Sequence, residues 1–262
     1  MNIRAITQYV LFIALASLVG VSCAEQGRNV TSPPKRVDIV GPITNSQPRT
    51  VVEPVVIPPQ VVVAPATPVV APHRIIVLPV PFTVQAPHAN WDLPYQEACE
   101  EASMIMVVDY VTGRSGLRLS PDEADKRILE LVAWEGEHGY PIDVTAEQVV
   151  SILSQRFGIV AQVIPFDATR LRAELAAKRP VILPAAGRSL GNPYFHQPGP
   201  LYHMLVVKGY DGNEFITNDP GTRRGESFRY NESTFLRAVH DWNGGEVEKG
   251  EQVMIVVHKE NI

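Results

Sequence analysis

The sequence predicts an α+β fold in which helices pack on a largely antiparallel sheet. After residue 81, helix-type segments come early and most strand-type runs come late, an order typical of this class. The chain has 262 residues, 45% of them hydrophobic, which suits one domain with a sizeable core and an appendage. No internal repeat indicates a repeat architecture.

Capping residues and apolar runs define the predicted elements in chain order. Ser120-Pro-Asp-Glu and Thr145-Ala-Glu-Gln are capping boxes, whose side chains satisfy free backbone N–H groups where a helix begins. The predicted helices cover about residues 99–110, 121–134, 146–157 and 168–178, with a short one after Asn231. The β-type runs cover residues 159–164, 181–185, 202–210, 214–218, 226–230 and 252–258.

The N-terminal 77 residues are predicted to lie outside the folded domain. Residues 1–24 combine Arg4, an apolar run and small residues up to Ala24, a pattern typical of a cleaved secretory signal peptide. Residues 25–77 carry a proline every few positions, which favours an extended linker and leaves residues 78–262 as the domain. The protein is therefore expected to be exported, either secreted, periplasmic or tethered to the outer face of a bacterial membrane. Cys23 as a lipid-anchor cysteine, or an uncleaved anchor, remains an alternative.

Charge and motif content exclude several classes of partner. The net charge of -5 and the scattered basic residues give no reason to expect nucleic acid. The histidines show no metal-ligand spacing, and neither Cys-x-x-Cys nor His-Glu-x-x-His occurs, so no metal or other cofactor is expected. A monomer is expected.

Three residues could form a nucleophile, a base and an orienting group. Cys99 is predicted at a helix N-terminus, where unpaired N–H groups favour a thiolate and a lowered thiol pKa. His203 opens a strand that turns at Asp211-Gly-Asn and returns to Asp219. If the loop has three residues centred on Gly212, Asp219 is a same-face diagonal neighbour of His203. Such a set is what nucleophilic thiol catalysis requires.

Each of these residues also has an ordinary structural explanation. A free cysteine is commonly a small buried hydrophobe, and Asp219-Pro-Gly is a sequence well suited to turns. A rival nucleophile, Ser189, lies in a Gly-x-Ser-x-Gly motif, but the following Gly191-Asn-Pro forbids the required helix and favours a loop. His196 could line a substrate cleft or be an exposed loop residue.

Several spaced motifs between residues 79 and 259 occur in a characteristic order. They are Pro81-Phe-Thr-Val-Gln85-Ala-Pro, Asn90-Trp91, Glu97-Ala-Cys99-Glu-Glu-Ala-Ser, Tyr202-His203-Met-Leu-Val-Val-Lys-Gly-Tyr-Asp and Thr217-Asn-Asp219-Pro-Gly-Thr. In this order they resemble the bacterial cysteine peptidases related to the bacteriocin double-glycine leader peptidases. The resemblance implies a papain-like fold, a peptide or protein substrate and hydrolysis through a cysteine thioester.

The resemblance also implies roles for individual residues. Cys99 would be the nucleophile, His203 the base and Asp219 the orienting group, and an upstream glutamine would help to hold the oxyanion. Gln85 fits the motif better than Gln96, which lies nearer the cysteine. Where many relatives have Cys-Gly-Pro, this chain has Cys99-Glu-Glu. Carboxylates there oppose a thiolate, so a catalytically weak or inactive surface binding module of the same fold is the alternative function.

Overall fold

The computed structural model describes residues 75–114 and 118–258, which belong to one compact unit, Ala66–Ile262. The predicted signal peptide and nearly all of the predicted linker lie outside the described residues, and so does Cys23. Strand β1 begins before the predicted domain boundary at residue 78 and pairs with the domain. The position of that boundary and the role of the linker stay predictions.

The described chain contains six helices and seven strands in mixed order. The helices are α1 Cys99–Val111, α2 Pro121–Glu137, α3 Ala146–Phe157, α4 Ala168–Ala176, α5 Gly187–Leu190 and α6 Glu232–Ala238, with 3-10 turns at Tyr95–Glu97 and Val247–Lys249. The strands are β1 Ile76–Val77, β2 Ala161–Pro165, β3 Val181–Ala186, β4 Tyr202–Asp211, β5 Glu214–Asn218, β6 Glu226–Asn231 and β7 Val253–Val257.

One sheet forms the centre of the domain. Its strand order is β2-β7-β3-β4-β5-β6, with β1 added alongside β4, and each of these pairings is antiparallel. This confirms the predicted α+β class with a largely antiparallel sheet. Strands β3, β4 and β7 are the most deeply buried, and α1 packs on β4.

The predicted helix starts are confirmed where a side chain caps the first turn. Ser120 accepts a hydrogen bond from the Glu123 N–H, and Thr145 forms both bonds of its capping box with Gln148. Asn231 precedes α6 but makes no side-chain cap bond, so that start depends on packing of the helix rather than on capping. Local capping chemistry therefore explains where α2 and α3 begin, but not where α6 begins.

Helix α1 is buried on every side. All of its residues from Cys99 to Tyr110 are buried, and it contacts β4, α2 and α3. A helical segment that is apolar all round belongs in a core rather than on a surface, and residues 104–108 of α1 have this character, whereas Glu100, Glu101 and Asp109 are buried carboxyls. Within residues 75–114 and 118–258, no helix is both long and apolar enough to cross a membrane.

The β4–β5 hairpin differs from the predicted one in a way that preserves the site. Asp211 pairs with Glu214, so the loop has two residues rather than the predicted three. A bulge at Lys208 then shifts the register by one, and Val206 pairs with Asn218. The predicted loop was wrong, but beyond the bulge the register equals the one that this loop implied.

The segment around Ser189 also differs from the prediction. It forms the single helical turn α5 instead of a loop, and the turn ends at Gly191 with a left-handed φ of 62°. The turn begins at Gly187, before the serine, and the Ser189 hydroxyl donates to Glu248 at 2.9 Å. Nothing in this arrangement makes Ser189 an activated nucleophile.

Candidate active site

A cleft of about 1120 Å³ lies at the N-terminus of α1. Cys99 is the first residue of α1, and His203 is the second residue of β4; both line this cleft, together with Gln85, Gln96 and His196. The structure thus brings the sequence-predicted nucleophile and base to one cavity. His196 lines the cleft and is exposed, so its position agrees with both interpretations, a cleft-lining residue and an exposed loop residue.

Asp219 and His203 form a fully buried pair. The ring Nε2 of His203 lies 2.8 Å from Oδ1 of Asp219, and the backbone N–H of Gly221 donates to the same oxygen at 2.9 Å. Burial alone would raise the pKa of Asp219, but His203 and the hydrogen bonds to the carboxylate hold it below its usual range. Because Nε2 is committed to Asp219, Nδ1 is the ring nitrogen that remains to accept a proton.

Two residues that sequence reasoning missed hold the other oxygen of Asp219. Tyr230 on β6 donates its hydroxyl to Oδ2 at 2.6 Å, and the amide of Asn192 donates to Oδ2 at 3.0 Å. The Asn192 amide also donates to the Tyr230 hydroxyl at 2.8 Å. Asn192 lies two residues after the end of α5, and only the tertiary fold brings it to Asp219; no sequence spacing indicated it.

The imidazole of His203 is confined by two close neighbours. The Phe195 ring stands edge-on to it, with 5.1 Å between ring centroids. A Cβ added at Gly221 would lie 2.9 Å from Cε1 of His203 and 2.8 Å from the Phe195 ring. The turn after Asp219 therefore requires glycine because of this close approach.

Gln85 is buried beneath the turn that precedes Cys99. Its amide Nε2 donates to the carbonyls of Tyr95 and Gln96, both at 3.0 Å, while its Oε1 is buried and has no partner among the described residues. These bonds fix the chain immediately before α1. Gln96 is exposed on the cleft wall. The choice between the two glutamines for the oxyanion stays a prediction.

Cys99 has an unexpected partner. Its thiol is 4% exposed, and Sγ donates a hydrogen bond to Oε2 of Glu100 at 2.9 Å. Burial, followed by the charges of Glu100 and Glu101, raises the pKa of Cys99 well above its usual value. The helix N-terminus was expected to lower this pKa, and the structure shows the opposite direction because burial and the adjacent carboxyls outweigh the helix dipole.

Further buried carboxyls extend from the cleft into the core. Glu101 and Glu135 hydrogen-bond each other. Burial is the first cause that shifts the pKa of each carboxyl, and the neighbouring carboxyl is the second. The pKa of Glu101 is raised to about 7, and that of Glu135 to about 10. Among the residues that the structure describes, no group of His, Cys, Asp and Glu side chains has a geometry that could hold a metal ion.

Comparison with known proteins places the chain in a family. A profile of the Peptidase_C39 like family matches residues 77–244, which is more than half of the chain. Among solved structures, one described as a C39-like peptidase from Bacillus anthracis is similar, with 15% sequence identity and a TM-score of 0.46 over 71% of this chain and 98% of that one. No curated protein matches. The chain belongs to the Peptidase_C39 like family, and this membership supports a function of the cysteine-peptidase type.

Proposed function

We propose that this protein is an exported cysteine peptidase that hydrolyses peptide bonds through a thioester on Cys99. The observation that carries the proposal is the buried pair of His203 and Asp219, in which one ring nitrogen is held and the other remains for proton transfer. Cys99 and His203 line the same cleft in a chain of a peptidase family. A nucleophile, a base and an orienting carboxylate form the set that acyl transfer needs.

The chemistry follows from these positions. His203 Nδ1 takes the thiol proton, and Sγ forms a bond to the carbonyl carbon while the π electrons move to the carbonyl oxygen. When this intermediate collapses, the C–N bond breaks and the protonated ring gives its proton to the leaving amine. His203 then takes a proton from water, and the resulting hydroxide attacks the thioester carbon. The C–S bond breaks, the acid product leaves, and the protonated ring returns its proton to the sulfur. Asp219 stays ionised and holds the Nε2–H throughout.

The developing oxyanion needs donors aimed at it. The backbone N–H of Cys99 and a glutamine amide are the proposed donors. For Gln85 to serve, one of its bonds to the carbonyls of Tyr95 and Gln96 must be exchanged for the oxyanion. Gln85→Ala and Gln96→Ala form a matched pair for kcat measurements, and a loss of about 100-fold or more in only one variant identifies the donor.

The cleft wall indicates the side chains that a substrate presents. Five large hydrophobic residues that line the cleft are substantially exposed: Trp91, Leu93, Ile142, Tyr194 and Leu201. An exposed apolar surface that borders a deep cleft favours extended peptides with apolar side chains near the scissile bond. Peptides or proteins are therefore the proposed substrates.

The proposed site of action is outside the cytoplasm. Residues 1–24 support export, and residues 25–77 would separate the domain from the membrane if the N-terminus is anchored, through Cys23 or otherwise. We propose a monomer that needs no cofactor.

The second candidate function is a surface binding module with weak or absent turnover. The observation in its favour is the Cys99 thiol, whose raised pKa makes the thiolate scarce at neutral pH. A module of this kind would keep the cleft and bind peptides without cleaving them.

One experiment separates the two functions. The purified protein is incubated with a peptide library, and cleavage is followed by mass spectrometry for the wild type, Cys99→Ser and His203→Ala. His138→Ala is the matched histidine control, because His138 is exposed and does not line the cleft. If the protein is a peptidase, the wild type and His138→Ala cleave peptides, whereas Cys99→Ser and His203→Ala do not. No cleavage by the wild type, with peptide binding retained in Cys99→Ser, favours the binding module.

A further inference from the structure

The carboxyl of Glu100 lies against the reacting sulfur and away from water. Glu100 is 1% exposed, its Oε2 lies 2.9 Å from Sγ of Cys99, and its Oε1 has no hydrogen-bond partner among the described residues. An ionised carboxylate normally recruits several donors or a cation when it is buried. Among the described residues, the donors to the Glu100 carboxyl are the Cys99 thiol and its own backbone N–H, and no cation pairs with it, which favours its neutral form.

The groups that surround Glu100 are almost all acidic. Glu101 is its neighbour on α1, Glu135 faces it from α2, and Asp143 faces it from the segment before α3. Tyr202 on β4 also lies near Glu100, and its hydroxyl donates a hydrogen bond to Asp241 at 3.2 Å. None of the ion pairs among the described residues includes Glu100, Glu101 or Glu135.

Glu97, on the turn before α1, acts on Glu101 and lines the cleft, and His203 lines the same cleft as Cys99. Burial, with the negative charge of Glu101 as the next cause, raises the pKa of Glu100 well above its usual value. When one proton has left the thiol and the neutral carboxyl, the proton that remains can be held by either group, because the two groups titrate as a pair.

We propose that Glu100 is a catalytic residue that shares a proton with the Cys99 sulfur and keeps the nucleophile usable only while the carboxyl is neutral. The proposal deepens the proposed peptidase function and rests on it for the reaction, though not for the pairing itself. At rest the thiol and the carboxyl carry two protons between them. His203 Nδ1 takes one of them, and the other stays on Oε2, from which it donates a hydrogen bond to the thiolate.

Both protons of the thiol and the carboxyl are accounted for in this step. The S–H bond breaks, an N–H bond forms on His203, and the electron pair stays on sulfur, while the O–H bond of Glu100 turns toward it. Attack on the carbonyl carbon then uses the sulfur electron pair, and Oε2 keeps its proton. If Glu100 loses that proton to solvent, the charge on the carboxylate opposes a second charge on sulfur, and the thiol stays protonated.

The test reads the sulfur directly and requires no peptide substrate. The rate of Cys99 alkylation by iodoacetamide is measured against pH in the wild type, Glu100→Gln, Glu100→Ala and Glu137→Gln. Glu100→Gln keeps size and a donor but cannot ionise, so its alkylation midpoint should fall by about 1–3 pH units. Glu100→Ala removes both charge and donor, so its midpoint should lie between those of Glu100→Gln and the wild type. Glu137→Gln, which removes an exposed carboxyl, should match the wild type.

The outcomes separate this proposal from the proposed function. A midpoint in Glu100→Gln or in Glu100→Ala equal to that of the wild type overturns the role of the Glu100 charge. A midpoint in Glu100→Ala at or below that of Glu100→Gln overturns the role of the carboxyl as a donor. If the midpoints shift as expected but no peptide is cleaved, the proton-sharing pair stands and the peptidase function fails. Cooperative thermal melting of each variant shows that it is folded.

Discussion

The buried pair of Glu101 and Glu135 predicts that the protein loses stability as the pH rises from 5 to 8. Both carboxyls have a pKa above the ordinary value of 4.5, about 7 for Glu101 and about 10 for Glu135, with burial as the first cause. For an acid whose pKa is raised by folding, the folded state binds more protons than the unfolded state above pH 4.5. Its stabilising contribution is therefore complete below that pH and is lost as the pH approaches the folded-state pKa.

Glu101 alone gives a lower bound on the stability that the protein loses as the pH rises. A displacement from 4.5 to about 7 corresponds to about 3 kcal/mol at 1.36 kcal/mol per pH unit. The raised pKa values of Glu97, Glu100, Asp143 and Asp241 act in the same direction. Asp219, whose pKa is lowered, contributes stability that is lost only as the pH falls below its ordinary range, so its contribution does not change between pH 5 and pH 8.

The perturbation is Glu135→Gln. Its amide N–H can still donate to Glu101, but the side chain no longer titrates, and it favours the ionised form of Glu101. Because Glu135, with a pKa of about 10, stays protonated in the folded state from pH 5 to pH 8, its replacement should make the loss of unfolding free energy over this range about 4 kcal/mol smaller than in the wild type. Urea unfolding followed by tryptophan fluorescence at each pH measures it, with Glu137→Gln as the exposed control. Parallel profiles for the wild type and Glu135→Gln, or a wild type that gains stability toward pH 8, would refute this reasoning.

Three further outcomes are expected. Asp219→Asn should retain more peptidase activity than Asp219→Ala, because an amide oxygen can still accept from the imidazole N–H; equal kcat losses would contradict this role. Gly221→Ala should lower kcat by displacing the imidazole, whereas Gly136→Ala on helix α2, where an added Cβ meets nothing within 4 Å, should stabilise the fold by about 1 kcal/mol and leave kcat unchanged. A chain that begins at Leu78 should melt cooperatively but at a lower temperature than one that begins at Ile75, because β1 pairs with Tyr210 and Gly209; identical melting temperatures would show that β1 adds nothing.

Local capping chemistry made helices α2, α3 and α4 predictable. The side chains of Ser120, Thr145 and Asp167 accept bonds from backbone N–H groups three residues later, a contact that depends only on neighbouring sequence. The hairpin loop was not predictable in this way, because the bulge at Lys208 depends on how β4 pairs with both β1 and β5. The short turn α5 was missed for a similar reason.

The candidate site was predictable only in part. Cys99, His203 and Asp219 could be proposed because each follows a recognisable boundary between elements. Tyr230 ends the predicted strand 226–230 and Asn192 lies in the Gly191-Asn-Pro segment, but nothing in their spacing indicated Asp219, and only the folded sheet brings them to it. The direction of the Cys99 pKa was missed because the helix N-terminus can be inferred from sequence, whereas the depth at which Glu100 is buried cannot.

The burial of α1 on all sides has a consequence for how the site can change. Backbone amides in the middle of such a helix exchange with solvent only when the whole domain opens, so their exchange rates should report global unfolding. The sulfur at its first residue is thereby fixed in place by the core. Adaptation to a new peptide must come from the chain around the cleft, such as the segments that carry Trp91, Ile142 and Tyr194, because a shift of the helix would cost the fold itself.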